Sequence, residues 1–265
     1  MEIFNLTVGQ SPLILSMPHS GLNLPPSMHP RLTPAARLIP DTDWHIPALY
    51  NFASDLDATI IQSNYNRLVI DLNRPPDDKP LYPGQAGSGL CPDQLFDGTP
   101  VYFEGEEPDE DEENRRLRQY WTPYHDTIQA QIERVKALHG FAVLYDCHSI
   151  NSNVPRLFDG QLPDLNLGTA NGTSCAVDLQ NKLEQTMQAS NFSSACNGRF
   201  VGGYITRQFG DPENQIHTIQ MELGQSAYMD DPQHFNASLA APLQQLLHEL
   251  LQIILHWRPG QKSLL

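Results

Sequence analysis

Five runs of continuous apolar character punctuate the chain: residues 12–17 (PLILSM), 58–62 (ATIIQ), 67–72 (RLVIDL), 141–145 (FAVLY) and 217–223 (HTIQMEL). Their length and lack of alternation predict strands buried on both faces of a sheet. Between them the pattern shifts to a helical period. Ile46, Leu49, Tyr50, Ala53 and Leu56 recur at helical spacing behind Asp43, which sits where an N-cap belongs. Leu117, Trp121, Tyr124, Ile128, Ile132, Val135 and Leu138 draw a stripe along residues 113–139, with Pro123 as a candidate kink. Residues 174–189 and 235–257 predict two further helices, the last burying Leu243, Leu246, Leu247, Leu250, Leu251 and Ile254. Strands alternating with helices predict an α/β protein: a three-layer α/β/α sandwich around a mostly parallel, mixed sheet, with residues 1–265 forming a single domain.

Two segments escape this pattern. Residues 75–100 are rich in Pro and Gly and read as a long loop, of the kind that borders active sites. Residues 104–113 (EGEEPDEDEE) are densely acidic. They read as a solvated loop leading into a helix, where negative charge is favourable. The spacing of an EF-hand calcium loop is absent.

Composition narrows the function. Apolar residues make up 40% of the 265 positions and charged residues 18%, as in ordinary globular proteins. The net charge of −15 argues against binding nucleic acid or an anionic membrane through a general basic surface. A small anionic substrate needs local arginines to hold it against that field. Cys91, Cys147, Cys175 and Cys196 form no C-x-x-C pair and read as reduced thiols of a cytoplasmic protein. The N-terminus lacks the pattern of a secretion signal, and no apolar run is long enough to span a membrane.

P-loop, nucleophile-elbow and H-E-x-x-H motifs are absent. What remains is positional. Two apolar runs end in histidine, at His19 (LILSMPHSG) and His148 (FAVLYDCHS). In open α/β sheets ligands gather beyond the carboxyl ends of the strands. Two imidazoles delivered there can share a zinc ion with one carboxylate. Asp41 and Asp43 are both candidates for that carboxylate. The plainer alternative makes the histidines hydrogen-bonded loop residues and Asp43 a helix cap. Glu222 sits in an apolar strand that should otherwise avoid charge, so it is either a buried general base or an edge residue facing solvent. Arg67 and Arg74 bracket a predicted strand, and Arg207 follows the turn at residues 202–205. Each can bind a carboxylate in two-point fashion or form a surface ion pair.

Taken in order, PHSG (18–21), DTDWH (41–45), NRLVIDLNRP (66–75), YWTPYH (120–125), LYDCHS (144–149), GGYITRQFG (202–210) and IQMEL (219–223) resemble the N-formylglutamate amidohydrolases, the deformylases of histidine breakdown. The resemblance runs over residues 13–230 and implies a zinc-exopeptidase-like sandwich. It implies one Zn2+, or another divalent ion, held by His19, His148 and Asp43, with Asp41 as the alternative carboxylate. It implies Glu222 as general base and proton donor, Arg67 beside the scissile carbonyl, and Asn73, Arg74 and Arg207 holding the carboxylates of a small amino-acid substrate. The H-x-x-E pair of carboxypeptidases is not reproduced, because residue 22 is Leu. The implied reaction is hydrolysis of N-formyl-L-glutamate to formate and L-glutamate. Its alternatives are deacylation of another N-acyl amino acid, a small peptidase, or a non-catalytic metal- or anion-binding protein.

Overall fold

The structure, a computed structural model, describes residues 2–80, 87–231 and 233–260. A seven-stranded mixed sheet forms its centre. In chain order its strands are β1 (Phe4–Thr7), β2 (Leu13–Met17), β3 (Thr59–Ser63), β4 (Ala142–Ile150), β5 (Leu165–Gly168), β6 (Ser194–Cys196) and β7 (Ile216–Gly224). The spatial order is β1-β3-β2-β4-β7-β5-β6. The four middle strands β3, β2, β4 and β7 run parallel; β1 pairs antiparallel with β3, and β5 with β7. A separate hairpin joins β8 (Met229–Asp231) to β9 (His234–Phe235).

Among the described residues six α-helices complete the layers: α1 (Ile46–Leu49), α2 (Glu110–Arg116), α3 (Thr122–His139), α4 (Val177–Ala189), α5 (Tyr204–Phe209) and α6 (Ala237–His256). Alternation along the strands assigns them to two faces. Leu13, Leu15 and Met17 of β2, Val143, Tyr145 and Cys147 of β4, and Ile219, Met221 and Leu223 of β7 pack with α1, α4 and α6. Ile14, Ala142 and Leu144 face the other way, toward α3 and α5. The α/β/α sandwich expected from the sequence is therefore present. Among the described residues no helix is long and apolar enough to cross a membrane.

Several local expectations change. Residues 67–72 form turns and no strand. The Val69 N–H donates back to the Asn66 carbonyl, and Arg67 pairs with Asp71 four residues on, so the segment folds on itself. Its Leu68, Val69, Ile70 and Leu72 are buried as a loop against the α3 side of the sheet. Arg67 and Arg74 thus bracket a loop. Asp43 caps no helix: the residue before α1 is His45, in the left-handed region at φ 62°, with no side-chain cap. The predicted helix over residues 46–56 divides into α1 and a 3-10 turn at Asn51–Leu56. Asp109 caps α2, accepting from the Glu112 N–H at 2.8 Å, and four acidic residues fill the first turn. The helical stripe then continues through a π-turn, Leu117–Trp121, into α3. β1, β5 and β6 are three or four residues long, too short to announce themselves by periodicity. Of the predicted loop 75–100, residues 81–86 lie outside the described residues.

Candidate active site

The parallel strands deliver their polar residues to one place. Beyond Ala142 and Leu144, β4 presents Asp146 and His148 on the same face. His148 therefore lies inside the strand, two residues short of its end, where the sequence pattern placed it past the end. β7 offers Gln220 and Glu222 in direct register, Asp146 beside Gln220 and His148 beside Glu222. β7 is paired on both sides, so Glu222 is buried in mid-sheet and the edge reading fails. His19 follows β2, and the Asp43 N–H donates to its carbonyl at 3.1 Å, joining two distant segments. The turn at 18–21 needs its glycine: a Cβ on Gly21 would stand 2.3 Å from the Tyr65 carbonyl oxygen.

His19, Asp43 and His148 form a buried group whose ligand atoms lie within 4.8 Å of one another. His148 Nδ1 is 2.9 Å and His19 Nδ1 3.8 Å from Asp43 Oδ2. The outward nitrogens are each anchored by another carboxylate. His19 Nε2 lies 2.7 Å from Asp71 Oδ1, and His148 Nε2 lies 2.8 Å from Asp146 Oδ2. This is the outer-shell arrangement that fixes the tautomer of a metal-ligating histidine, leaving Nδ1 to face an ion. His19 Nδ1 is buried with no hydrogen-bond partner, an arrangement that costs free energy unless something occupies it. The donor set, two imidazoles and one carboxylate, suits a catalytic divalent metal with an open position. Asp43 therefore belongs to the group. Asp41 turns instead to the Phe96 N–H, at 2.8 Å, and burial raises its carboxyl to about 6.

The charges around this group are balanced unevenly. Burial, reinforced by Arg67, lowers the pKa of His19, despite Asp71 and Asp43. For His148 burial acts in the same sense, but Asp146 and Asp43 outweigh it and raise its pKa well above the usual histidine range. Burial opposes the charge on Asp71 too, yet Arg67, His19 and Arg74 hold its carboxyl well below the usual range. Arg67 donates to Asp71 at 2.6 Å and stands 3.8 Å from Asp43, with its guanidinium over the Phe96 ring at 4.6 Å. Burial raises Glu222 to about 8, against the pull of His148, and Gln220 donates to its carboxylate at 3.1 Å.

These residues open onto one cavity. His19, Arg67, Asn73, Arg74, His148, Gln220 and Glu222 line it, together with Gly87 and Ser88 of the long loop. Ile150, Leu157, Phe96 and Phe200 supply an apolar wall. Arg74 donates to the Ser88 carbonyl at 2.9 Å and to its hydroxyl at 3.2 Å. Asn73 is engaged by the protein at both ends of its amide: Oδ1 accepts from the Ile205 N–H at 2.8 Å, while Nδ2 lies 3.1 Å from His148 Nε2 and 3.4 Å from Gln220 Oε1. A Cβ on Gly203 would sit 2.3 Å from that Nδ2, so glycine there permits the close approach. Arg207 does not join the cavity lining. It is exposed on α5 and donates to the Gly202 carbonyl. Arg199 lines the cavity instead. It lies in the chain between β6 and α5, where no sequence pattern singled it out. Asp71 and Asp146 were also unassigned by sequence, although one falls inside an apolar run and the other directly follows one, where a buried carboxylate needs a reason.

A model of the N-formylglutamate amidohydrolase family matches residues 11–229. The chain is 48% identical over 259 residues to the N-formylglutamate deformylase of Pseudomonas putida and 49% identical over 259 residues to that of Pseudomonas aeruginosa, covering 97% of each chain in both cases. The crystal structure of N-formylglutamate amidohydrolase from Ralstonia eutropha superposes with a TM-score of 0.81 at 26% identity, over 95% of this chain and 98% of the other. A protein from Agrobacterium tumefaciens shares the fold, with a TM-score of 0.72 at 17% identity over 96% of both chains. With most of its length matched in this way, the chain belongs to the N-formylglutamate amidohydrolase family.

Proposed function

We propose that the protein is a zinc-dependent deformylase that hydrolyses N-formyl-L-glutamate to formate and L-glutamate, the last step of a histidine-degradation route in the cytoplasm. Residues 1–265 act as one catalytic unit. The observation that carries this reading is the buried His19–Asp43–His148 group with Glu222 beside it, in a cavity lined by arginines. The Pseudomonas relatives carry the name of this activity.

His19, His148 and Asp43 would hold a divalent ion. A divalent cation there supplies Lewis acidity toward water and toward a carbonyl oxygen. Glu222 takes the proton of the attacking water and passes it to the departing amine nitrogen. Its elevated pKa suits a group that must both accept and return a proton near neutrality. Arg67 stabilises negative charge developing on the formyl oxygen. Arg74 and Arg199 hold the two carboxylates of the substrate, with Ile150 and Leu157 against its methylenes. Asn73 supports Asp146, to which its amide donates, and the turn after Gly203 rather than the substrate directly. Arg207 contributes less than its place in the family motif implied.

The test is formate release by zinc-loaded protein. Comparison of kcat/KM for N-formyl-, N-acetyl- and N-carbamoyl-glutamate and for N-formyl-aspartate defines the specificity. We expect N-formyl-glutamate to lead and chelation to abolish turnover. A preference for the acetyl compound would make the protein a deacylase of another class. Full activity in the presence of a strong chelator would remove the metal from the mechanism.

A further inference from the structure

Three side chains on one helical stretch grip the loop that carries much of the site. Arg116 donates to the Val69 carbonyl at 2.9 Å, His125 to the Leu72 carbonyl at 2.8 Å and Trp121 to the Arg74 carbonyl at 3.0 Å. All three side chains are buried. On its other side the same loop turns Arg67, Asp71 and Asn73 toward the histidines. The loop has no strand ladder, so these side-chain donors take the place that sheet bonding would have filled. Burial pushes His125 down to about 4, so it remains neutral and donates from Nε2. Its ring is stacked between Trp121, at 3.7 Å, and Phe209, at 5.8 Å.

The spacing explains an irregularity in the helix. Arg116 and Trp121 are five residues apart, and Trp121 and His125 four. In an uninterrupted α-helix five residues turn about 500°, which leaves the two side chains about 140° apart. The π-turn at Leu117–Trp121 absorbs the extra residue, and Arg116 and Trp121 reach the same loop. Such turns are found frequently at functional sites.

We propose that Arg116, Trp121 and His125 are positioning residues, aligned by the π-turn, which fix the loop bearing Arg67, Asp71 and Arg74 and thereby set both substrate binding and cation affinity. The substrate half rests on the reaction proposed above; the cation half rests only on its metal site. The three contacts predict distinct defects. Trp121 supports Arg74, so Trp121→Phe, which keeps a ring and loses the N–H, should raise KM for N-formyl-glutamate about tenfold. Its kcat should stay within about twofold of wild type, and its zinc affinity should be that of wild type. His125 supports the peptide beside Asp71, which anchors His19, so His125→Phe should weaken zinc binding about tenfold in chelator competition.

A purely structural role would lower the melting temperature and the active fraction of both variants, with KM and zinc affinity at wild-type values. That result overturns the proposal. If the wild type binds zinc and releases no formate from N-formyl-glutamate, the proposed function fails. The zinc affinity of His125→Phe then still decides: weakened binding upholds the positioning role, and unchanged binding overturns it.

Discussion

The two faces of β4 and β7 carry opposite assignments along the same stretch of backbone. On one face Val143, Tyr145, Cys147, Ile219, Met221 and Leu223 stay apolar to the ends of the strands and belong to one core cluster. On the other, Ala142 and Leu144 give way to Asp146 and His148, opposite Gln220 and Glu222. Both faces are buried, so burial does not distinguish them. The difference lies in what lies against each face. The apolar face meets helices along its whole length. The polar half of the other face meets the loop that carries Arg67, Asp71 and Asn73, where carboxylates and imidazoles satisfy one another. A strand can thus serve the core and the candidate site at once, because successive side chains point to opposite faces.

Substitutions on the polar face should abolish function while leaving the fold in place. The largest effect is expected from His148→Ala and His19→Ala, each of which should reduce bound zinc from about one ion per chain to a small fraction, by elemental analysis, and formate release to background. Full zinc content in either variant would remove that histidine from the ligand set. Glu222→Gln should retain zinc and lose turnover by about 10²–10⁴-fold. Unchanged turnover would exclude Glu222 as base. On the apolar face Met221→Ala should behave in the opposite way, losing about 2–5 kcal/mol of stability in denaturant titration while turnover per folded molecule holds. A comparable loss of turnover there would break the separation of the two faces. At the mouth of the cavity, Arg199→Ala should raise KM about tenfold, and more than Arg207→Ala does; the reverse order would restore Arg207 to the substrate.

The smallest effect concerns pH. Burial raises Glu222 from the ordinary 4.5 to about 8, so the fold favours its neutral form. That contribution to stability is complete below pH about 4.5 and is lost as pH rises through 8. Melting temperatures of cation-free protein should therefore fall more steeply across this window for wild type than for Glu222→Gln. Parallel curves would show that Glu222 is charged throughout.

The sequence carried the sheet because its central strands are buried on both faces and so read as unbroken apolar runs. The same criterion misread residues 67–72, whose apolar side chains pack as an irregular loop folded by Arg67 and Asp71. His19, His148 and Glu222 were legible because each interrupts or ends a hydrophobic run. Asp71 and Asp146 do so equally, in RLVIDL and FAVLYDCHS, and the cost of burying a carboxylate would have flagged both. The choice between Asp43 and Asp41 depended on a contact with His148 across 105 residues, which no local pattern encodes. Arg199 had no local signal either, since its place at the cavity depends on how the segment between β6 and α5 is laid against the sheet.

The hydrogens on the two imidazoles determine how a cation enters. His19 offers a bare Nδ1, whereas His148 faces a carboxylate from each ring nitrogen and holds its proton tightly. A divalent ion bound there would replace that proton on Nδ1, so filling the site would be coupled to proton release. Loading would then release acid, and acidification would oppose it.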